Sequence, residues 1–250
     1  MRPLAAETSE QRYAEERRQG EAFVAGDLEA AWGWSGPAGR LRAQRRAAFL
    51  ISAARLGPGV DVLELGCGTG EFTERLVESG CRLVGVDVSD ATAARCRERL
   101  VGRAEIVVGN VETGEGLAGR TFDAIVGVSV LHHVNVELCL RNTLSLLRPG
   151  GRFAFSEPNR ANPQVWAERN VETLRRRRLV LAHETAFRRQ ELRGLFESAA
   201  LVVDVCEPFD FLHPSTPRRL IPAVRRLEKR LERSPLRGLA GSLRVAGLRL

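Results

Sequence analysis

The sequence predicts an α/β protein in which an open, mostly parallel sheet is covered by helices on both faces. Short apolar segments alternate with helical segments between residues 60 and 156. Such alternation favours parallel strands joined by right-handed crossovers. A glycine-rich loop at residues 66–70 follows the first strand of this series and precedes a helix, as in nucleotide-binding folds. The 250 residues suffice for one large domain, or for one domain with a small appendage.

The residues before this alternation are predicted to be helical. Ser9–Gln19 is rich in helix formers, and Gly39–Leu56 carries a broad apolar stripe that ends at a Gly-Pro-Gly turn. Between these two helices lies a turn that contains Trp32 and Trp34.

Five strands and three helices are predicted in the alternating region. Apolar content and flanking turns indicate strands at Val60–Leu65, Arg82–Val86, Ala104–Val108, Phe122–Val128 and Arg152–Ser156. The helices between them are predicted at Glu71–Ser79, Ser89–Leu100 and Val136–Leu147. Ser89 is the expected N-cap of its helix, and the leucine-rich helix from Val136 should stop at the Arg-Pro-Gly-Gly turn that follows it.

The alternation stops after the fifth strand. Pro158–Glu184 is predicted to be an insertion over the sheet edge, followed by a helix at Arg188–Ala199 and a strand at Leu201–Val205. A basic amphipathic helix is predicted at Arg218–Arg233, with Leu220, Val224, Leu227 and Leu231 on one side, and a last strand at Gly241–Leu248. We therefore divide the chain into a helical segment (1–58), an α/β core (59–157), a cap insertion (158–186) and a C-terminal part with the basic helix (187–250).

The positive charge is concentrated in one part of the chain. The net charge is +7, and the residues from Pro217 onward hold ten basic and two acidic side chains, so the remainder sums to about −1. The high isoelectric point therefore does not by itself predict nucleic-acid binding. No apolar run approaches the ~18 residues of a membrane span, and the N-terminus lacks an apolar signal core, so a cytoplasmic protein is expected.

The cysteines predict neither a metal site nor a disulfide framework. Their number is odd and no C-x-x-C pair occurs, so we expect reduced, partly buried thiols at Cys67, Cys81, Cys96, Cys139 and Cys206. We assign no metal ligands from the sequence.

The glycine loop is the strongest functional signal. Gly66, Gly68 and Gly70 have the spacing G-x-G-x-G, whereas dinucleotide sites have G-x-G-x-x-G, so an NAD-dependent redox enzyme is disfavoured. Asp87 ends the next strand, 17 residues after Gly70, where a carboxylate can accept both hydroxyl groups of a ribose.

These motifs resemble those of the class I S-adenosylmethionine-dependent methyltransferases. Val62–Gly70 is similar to their first motif and Asp87 to their ribose-binding acid. Gly109–Glu112, Phe122–Val134 and Leu147–Phe153 are similar to the later motifs in the same order. The resemblance covers Gly59–Glu157 and implies a Rossmann-like, seven-stranded sheet whose last strand is antiparallel.

The resemblance also implies a cofactor site for S-adenosylmethionine. The expected contacts are to the methionyl part, the ribose, the adenine and the end of the fourth strand, from Glu64, Gly66, Cys67, Gly68, Gly70, Asp87, Val88, Asn110, Val111, Glu112, Val128 and Ser129. Many relatives have aspartate where this chain has Asn110, and residues 1–58 correspond to their helical lid.

The acid–base candidates lie where ligands of open α/β sheets bind, after the fourth and fifth strands. His132 is expected to touch substrate and act as a base, with Glu157 and His133 as further candidates. In relatives the position of His133 bonds the start of the next helix. Acceptor contacts are expected from Tyr13, Trp32, Trp34, Asn159, Asn162, Trp166 and His183. Packing of the aromatic rings, and Asx turns at the asparagines, are the alternatives.

The expected activity is methyl transfer to an O or N nucleophile of a small molecule, as in bacterial tailoring of secondary metabolites. The alternatives are an RNA methyltransferase, favoured only by the basic tail, and a cofactor-binding regulatory subunit without catalysis. We expect no nucleic-acid partner and a monomer or homodimer. Arg175–Arg178 and the basic helix allow weak contact with a membrane surface, although a solvated face is the usual role of such charges.

Overall fold

A computed structural model describes residues 9–24, 33–177, 180–181 and 184–250. Predictions from the sequence also concern Trp32, Arg178 and His183, which lie outside the described residues. The described α-helices are α1 (Ser9–Val24), α2 (Pro37–Ala53), α3 (Thr73–Val77), α4 (Asp90–Leu100), α5 (Val136–Leu146), α6 (Pro163–Asn170), α7 (Glu172–Arg177), α8 (Arg189–Ser198) and α9 (Ile221–Leu231). Short 3₁₀ turns occur at Leu131–His133, Arg218–Leu220 and Pro235–Leu239.

The sheet has seven strands in the order β3-β2-β1-β4-β5-β7-β6. They are β1 (Asp61–Leu65), β2 (Arg82–Asp87), β3 (Glu105–Val108), β4 (Phe122–Val128), β5 (Leu147–Pro158), β6 (Leu201–Phe209) and β7 (Ser242–Arg249). The first five strands pair in parallel, and β7 runs antiparallel to both β5 and β6. The predicted fold class, including the antiparallel last strand, is confirmed.

Helices cover both faces of the sheet and bury two large apolar clusters. One cluster joins β1, β4 and β5 to α5 and α8, and includes the stacked rings of Phe153 and Phe196. The other lies beneath α2 and α3 on the opposite face. Because β4 is covered on both sides, its residues are nearly all buried, which accounts for its almost continuous apolar sequence.

The strand order places four carboxyl ends beside one another. β1 lies between β2 and β4, and β4 lies between β1 and β5, so the loops that follow these strands meet at one edge of the sheet. The antiparallel β7 begins at the same edge, where Ser242 pairs with Pro158 and Phe209. Ligands of open α/β sheets bind at this carboxyl edge.

Helix α1 packs against the core over the loop after β2. Gly20 lies against Ser89, and a Cβ atom at Gly20 would come within 2.4 Å of the Ser89 hydroxyl oxygen. The side chain of Arg17 donates to the carbonyl oxygen of Val88 at 3.2 Å. The N-terminal helix is therefore fitted closely to the residues that follow Asp87.

A buried ion network attaches α2 to the end of β6. Arg46 is 2% exposed and lies 2.5 Å from Asp210, which also accepts from Arg42 at 2.9 Å. The ring centroids of Trp34 and Phe209 both lie 5.3 Å from the Arg46 guanidinium. Burial lowers the pKa of Arg46 to about 10, although the neighbouring Asp210 carboxylate opposes this effect. These arginines hold the helix to the core rather than facing a ligand.

Cys67, Cys81, Cys96, Cys139 and Cys206 are free thiols, and all five are buried rather than partly buried as predicted. Within the described ranges, no helix combines the length and apolar character that crossing a membrane requires.

Candidate active site at the carboxyl edge of the sheet

The glycine loop follows β1 at the carboxyl edge of the sheet, and its glycines adopt left-handed backbone conformations. Gly66 and Gly68 have φ angles of +66° and +52°, a region that residues with a side chain rarely adopt. The amide groups of Gly66 and Cys67 donate to the carbonyl oxygen of Val86 at 2.8 and 3.1 Å, which fixes the loop against β2. The loop therefore lets a ligand approach the backbone closely.

Asp87 is held by three donors at the end of β2. Its carboxylate accepts from the amides of Gly68 (2.8 Å) and Ser89 (3.0 Å) and from the hydroxyl of Thr92 (2.8 Å). Burial raises the pKa of Asp87, and these hydrogen bonds oppose the rise. The residue thus links the glycine loop to the start of α4, where Ser89 is the N-cap as predicted.

Glu64 lies at the end of β1 with one carboxylate oxygen, Oε2, buried and without a hydrogen-bond partner. Burial raises its pKa to about 8, while a hydrogen bond from Thr73 opposes the increase. The hydroxyl groups of Thr69 and Ser156, at the same edge, are also buried and unsatisfied. Buried polar atoms are normally paired, so these atoms fit a polar, partly cationic ligand such as the amino-acid end of S-adenosylmethionine.

The residues expected to contact the adenine form hydrogen bonds within the protein. The amide oxygen of Asn110 accepts from the backbone of Glu112 at 2.7 Å and closes an Asx turn. The Glu112 carboxylate accepts from Arg12 of α1 at 3.2 Å and from the backbone of Asn135 at 2.6 Å. Val111 is buried in the core. These residues shape the wall of the site, and Glu112 ties α1 to the loop after β3.

The last expected cofactor contacts lie beside the glycine loop. Cys67 and Val128 are buried, and Val88 offers its carbonyl oxygen to Arg17. Ser129 has a φ of +55° and donates its amide to Ser156, which turns the chain sharply after β4.

Glu157 and His132 form a buried pair at the centre of this edge. One oxygen of Glu157 accepts from the backbone amides of Val130 and Leu131, both at 3.0 Å. The other lies 2.8 Å from Nδ1 of His132. Burial raises the pKa of Glu157 to about 7, opposed by these hydrogen bonds. Burial, with the nearby His133 and Arg169, holds the pKa of His132 well below 6.5.

This geometry makes His132 a neutral imidazole with a defined orientation. When Nδ1–H donates to ionised Glu157, the lone pair of His132 lies on Nε2. A neutral imidazole oriented by a carboxylate can accept a proton and be stabilised as it becomes charged.

His133 has a different environment from its neighbour. Its Nδ1 lies 2.8 Å from Glu16 of α1. Burial lowers the pKa of His133, but the carboxylates of Glu184 and Glu16 outweigh this effect and raise it to about 9. His133 is therefore cationic at neutral pH. It does not cap the next helix, because Asn135 is the N-cap of α5 and accepts from Leu138.

Glu184 approaches the two histidines from the cap insertion. Its Oε2 lies 3.8 Å from Nε2 of His132, and the possible ligand atoms of His132, His133 and Glu184 all lie within 4.8 Å of one another. No metal ligands are predicted from the sequence, but the spacing of these three side chains suffices to hold a metal ion. However, Arg169 lies 4.0 Å from the same Glu184 oxygen and already balances its charge. The three side chains and Arg169 therefore form a polar cluster beside the buried pair of Glu157 and His132.

Three of the predicted acceptor contacts make intramolecular contacts. Trp34 packs edge-on against Phe72 with 5.3 Å between ring centroids, so it joins α2 to the core. The amide of Asn159 bonds to the carbonyl oxygens of Gly238 and Ala240, and Asn162 caps α6. The ring of Trp34 and the polar groups of Asn159 and Asn162 are therefore engaged within the protein, and their substrate roles stay predictions.

The other two predicted acceptor contacts, Trp166 and Tyr13, differ in exposure. Trp166 lies on α6, and its side chain is 52% exposed. The hydroxyl of Tyr13 is buried beside Glu112, where burial raises the pKa of the phenol. Tyr13 therefore belongs to the wall that α1 forms over the site. Arg12 and Glu16 lie on the same helix and Glu184 lies before α8, and none of the three has a local sequence signal that predicts its position.

A separate groove lies on the face of the sheet that α2 and α3 cover. It has a volume of about 800 Å³ and lies between α2, α3 and the start of α9, lined by residues such as Arg40, Leu41 and Arg218. It contains none of the predicted site residues.

Comparison with known proteins supports the expected family. Residues 63–155 match the family model of a methyltransferase domain. Nodulation protein S of Rhizobium tropici is 33% identical over 129 residues, which cover 49% of this chain and 53% of that protein. The ubiquinone biosynthesis O-methyltransferase of Rhizobium johnstonii is 32% identical over 111 residues, covering 43% and 45%. The chain thus spans about half the length of the curated relatives it matches.

A solved structure agrees with the fold over nearly the whole chain. The N-methyltransferase NodS of Bradyrhizobium japonicum, bound to S-adenosyl-L-homocysteine, superposes with a TM-score of 0.63 and 19% identity, covering 94% of this chain and 98% of that one. At this identity the match concerns the fold alone. Together with the ordered motifs, the matched domain supports a methyltransferase of the class I S-adenosylmethionine-dependent type, and residues 63–155 form its methyltransferase domain.

Proposed function

We propose that the protein transfers a methyl group to an oxygen or nitrogen atom of a small molecule, with His132 as the base. The observation that carries this proposal is the pair of Glu157 and His132, whose 2.8 Å contact fixes a buried neutral imidazole at the carboxyl edge. The names of the relatives, an O-methyltransferase and an N-methyltransferase, agree with these two acceptor atoms.

The cofactor would be held by the loops after β1 and β2. The glycine loop would pass beneath its methionyl part, Glu64 would face its ammonium group, and Asp87 would accept from the ribose hydroxyl groups. When bound, S-adenosylmethionine supplies an electrophilic methyl group on a positively charged sulfur. The protein then needs mainly to position the acceptor, exclude water and remove a proton.

His132 would remove that proton at Nε2 as the acceptor attacks the methyl carbon. Ionised Glu157 would stabilise the resulting imidazolium through Nδ1–H. His133, Glu16 and Glu184 would form the polar wall beside the acceptor. We also propose that residues 1–58 serve as a lid and residues 158–186 as a cap over this site.

The test is a pair of variants at the two adjacent histidines. His132→Ala is expected to lower kcat by about 10²–10⁴-fold at saturating cofactor, because it removes the base. His133→Ala removes the contact with Glu16 and should lower the melting temperature while largely sparing kcat. Turnover of the wild type should rise with pH up to about 7, where Glu157 becomes ionised.

The assay requires an acceptor, found by a metabolite screen with labelled cofactor. Full turnover in His132→Ala would contradict the assignment of His132 as the base, and Glu184 would be the next candidate for that role. If no acceptor is methylated although the cofactor binds, the regulatory-subunit alternative is favoured instead.

A further inference from the structure

Helix α9 presents leucine side chains to solvent. Leu220, just before the helix, and Leu227, two turns later, are 53% and 54% exposed. Leu236 and Leu239, in the 3₁₀ turn that follows, are 54% and 43% exposed. Leucines grouped in this way on a surface are unusual for a segment that only covers a core, and mark interaction surfaces.

The helix is attached to the core by other residues. Ile221 is buried against Ala38 and Leu212. Glu228 is 1% exposed and accepts from the backbone amide of Phe211 at 2.7 Å, while Arg45 lies 3.0 Å from the same oxygen. The side of α9 that faces the core is therefore partly charged, and the leucine side faces outward.

Unpaired positive charges flank the exposed leucines. Six exposed basic side chains make no ion pair with any described residue: Arg218, Arg219, Arg226, Lys229, Arg230 and Arg233. On the same helix Arg225 is neutralised by Glu228 at 2.5 Å. The surface thus combines apolar side chains with a local excess of about six positive charges.

This surface lies at the same edge of the sheet as the active site. The segment from Asp210 to Gly241 connects the carboxyl-edge ends of β6 and β7, and the backbone of Asp210 and Gly241 is hydrogen-bonded at 2.8 Å. The cap is joined to it, because Asn162 donates to the carbonyl oxygen of Leu239 at 2.7 Å.

We propose that this surface, formed by α9 and residues 218–220 and 233–239, binds the surface of an anionic lipid bilayer. A basic amphipathic helix binds such a surface by burying leucines at the headgroup boundary and placing arginines against anionic headgroups. A second copy of the chain would bring two sets of unpaired positive charges together. A nucleic acid would satisfy the arginines but leave the leucines in water.

The test is co-sedimentation of the full chain with lipid vesicles. Vesicles of 30% phosphatidylglycerol in phosphatidylcholine should carry the protein down, whereas pure phosphatidylcholine should not. Arg226→Gln with Arg230→Gln should weaken binding about 25-fold, about fivefold for each charge. Leu220→Ser with Leu227→Ser should weaken it roughly tenfold, because each half-exposed leucine loses part of its burial in the bilayer.

Val101→Ser is the matched control. Val101 is 84% exposed but lies near the amino end of β3, at the opposite edge of the sheet, so its replacement should leave vesicle binding unchanged. Thermal melting and binding of S-adenosylhomocysteine should be the same in all these variants. Failure of the lipid proposal would thus be distinguishable from failure of the proposed enzymatic function.

Three results would overturn the proposal. One is the absence of co-sedimentation with anionic vesicles. Another is binding that persists unchanged when both leucines are replaced, which would indicate a purely electrostatic surface. The third is a dimer in light scattering that dissociates in the Leu220→Ser/Leu227→Ser variant, which would show that a second copy covers the leucines.

Discussion

Replacing Glu64 with glutamine is expected to stabilise the folded protein at neutral pH while weakening cofactor binding. Glu64 is 3% exposed, and its Oε2 has no hydrogen-bond partner in the protein. Burial raises the pKa from 4.5 to about 8, so the folded protein keeps a proton that the unfolded chain releases.

The magnitude follows from that difference in proton binding. Below pH 4.5 both states hold the proton, and the stability is not reduced by ionisation. As the pH rises from 4.5 to 8, only the unfolded state loses its proton, so the free energy of unfolding falls. At pH 7 the loss is about 3 kcal/mol. Glutamine cannot ionise, so Glu64→Gln should regain up to this amount at pH 7 and almost nothing at pH 4.5.

Urea denaturation between pH 4.5 and 8, without cofactor, measures this effect. The control is Glu78→Gln, because Glu78 is exposed at the end of α3. The difference in unfolding free energy between wild type and Glu64→Gln should grow with pH, whereas the control should parallel the wild type. Parallel pH profiles for wild type and Glu64→Gln would refute the assignment of a protonated buried carboxyl. Reduced affinity of Glu64→Gln for S-adenosylhomocysteine would support its role at the cofactor's ammonium group.

Two further variants test the cofactor wall. Asp87→Ala should weaken S-adenosylhomocysteine binding by roughly 10–150-fold, because a hydrogen bond to a charged group contributes about 1.5–3 kcal/mol. The control is Asp90→Ala, because Asp90 is exposed. Unchanged affinity in a folded Asp87→Ala protein would contradict the assignment of Asp87 to the ribose. Gly20→Ala should also reduce affinity, because its Cβ would lie 2.4 Å from Ser89 Oγ and displace α1. Gly194→Ala should leave the affinity unchanged, because its Cβ would meet nothing within 4 Å. Equal affinities of the two glycine variants in calorimetric titration would disprove the close fit of α1 against Ser89.

Local signals were sufficient for the centre of the sheet. The bounds of β4 at Phe122–Val128 were predicted correctly because the strand is almost entirely apolar. The strand β5 is longer than predicted, Leu147–Pro158 rather than Arg152–Ser156, because pairing with β4 begins at Leu147 before the Pro-Gly-Gly sequence. β6 extends to Phe209 through Pro208, which is tolerated because β6 is the edge strand of the sheet.

The candidate site was also predictable only in part from local sequence signals. His132 and Glu157 were predicted as candidates because His132 lies in the loop after β4 and Glu157 lies near the end of β5, and both strands end at the carboxyl edge. Their environment was not predictable, because Glu16 comes from α1 and Glu184 from the segment before α8. Glu16 is separated from His133 by 117 residues, and a contact of this range leaves no periodic or spacing signal in the sequence.

Calorimetric titration of the wild-type protein with S-adenosylhomocysteine, and separately with NAD, tests the central claim most directly. The glycine loop, the unsatisfied Glu64 oxygen and Asp87 predict S-adenosylhomocysteine binding in the micromolar range or tighter, lost or strongly weakened in Asp87→Ala. Binding of NAD with no binding of S-adenosylhomocysteine would contradict the cofactor assignment and the methyl-transfer function that rests on it.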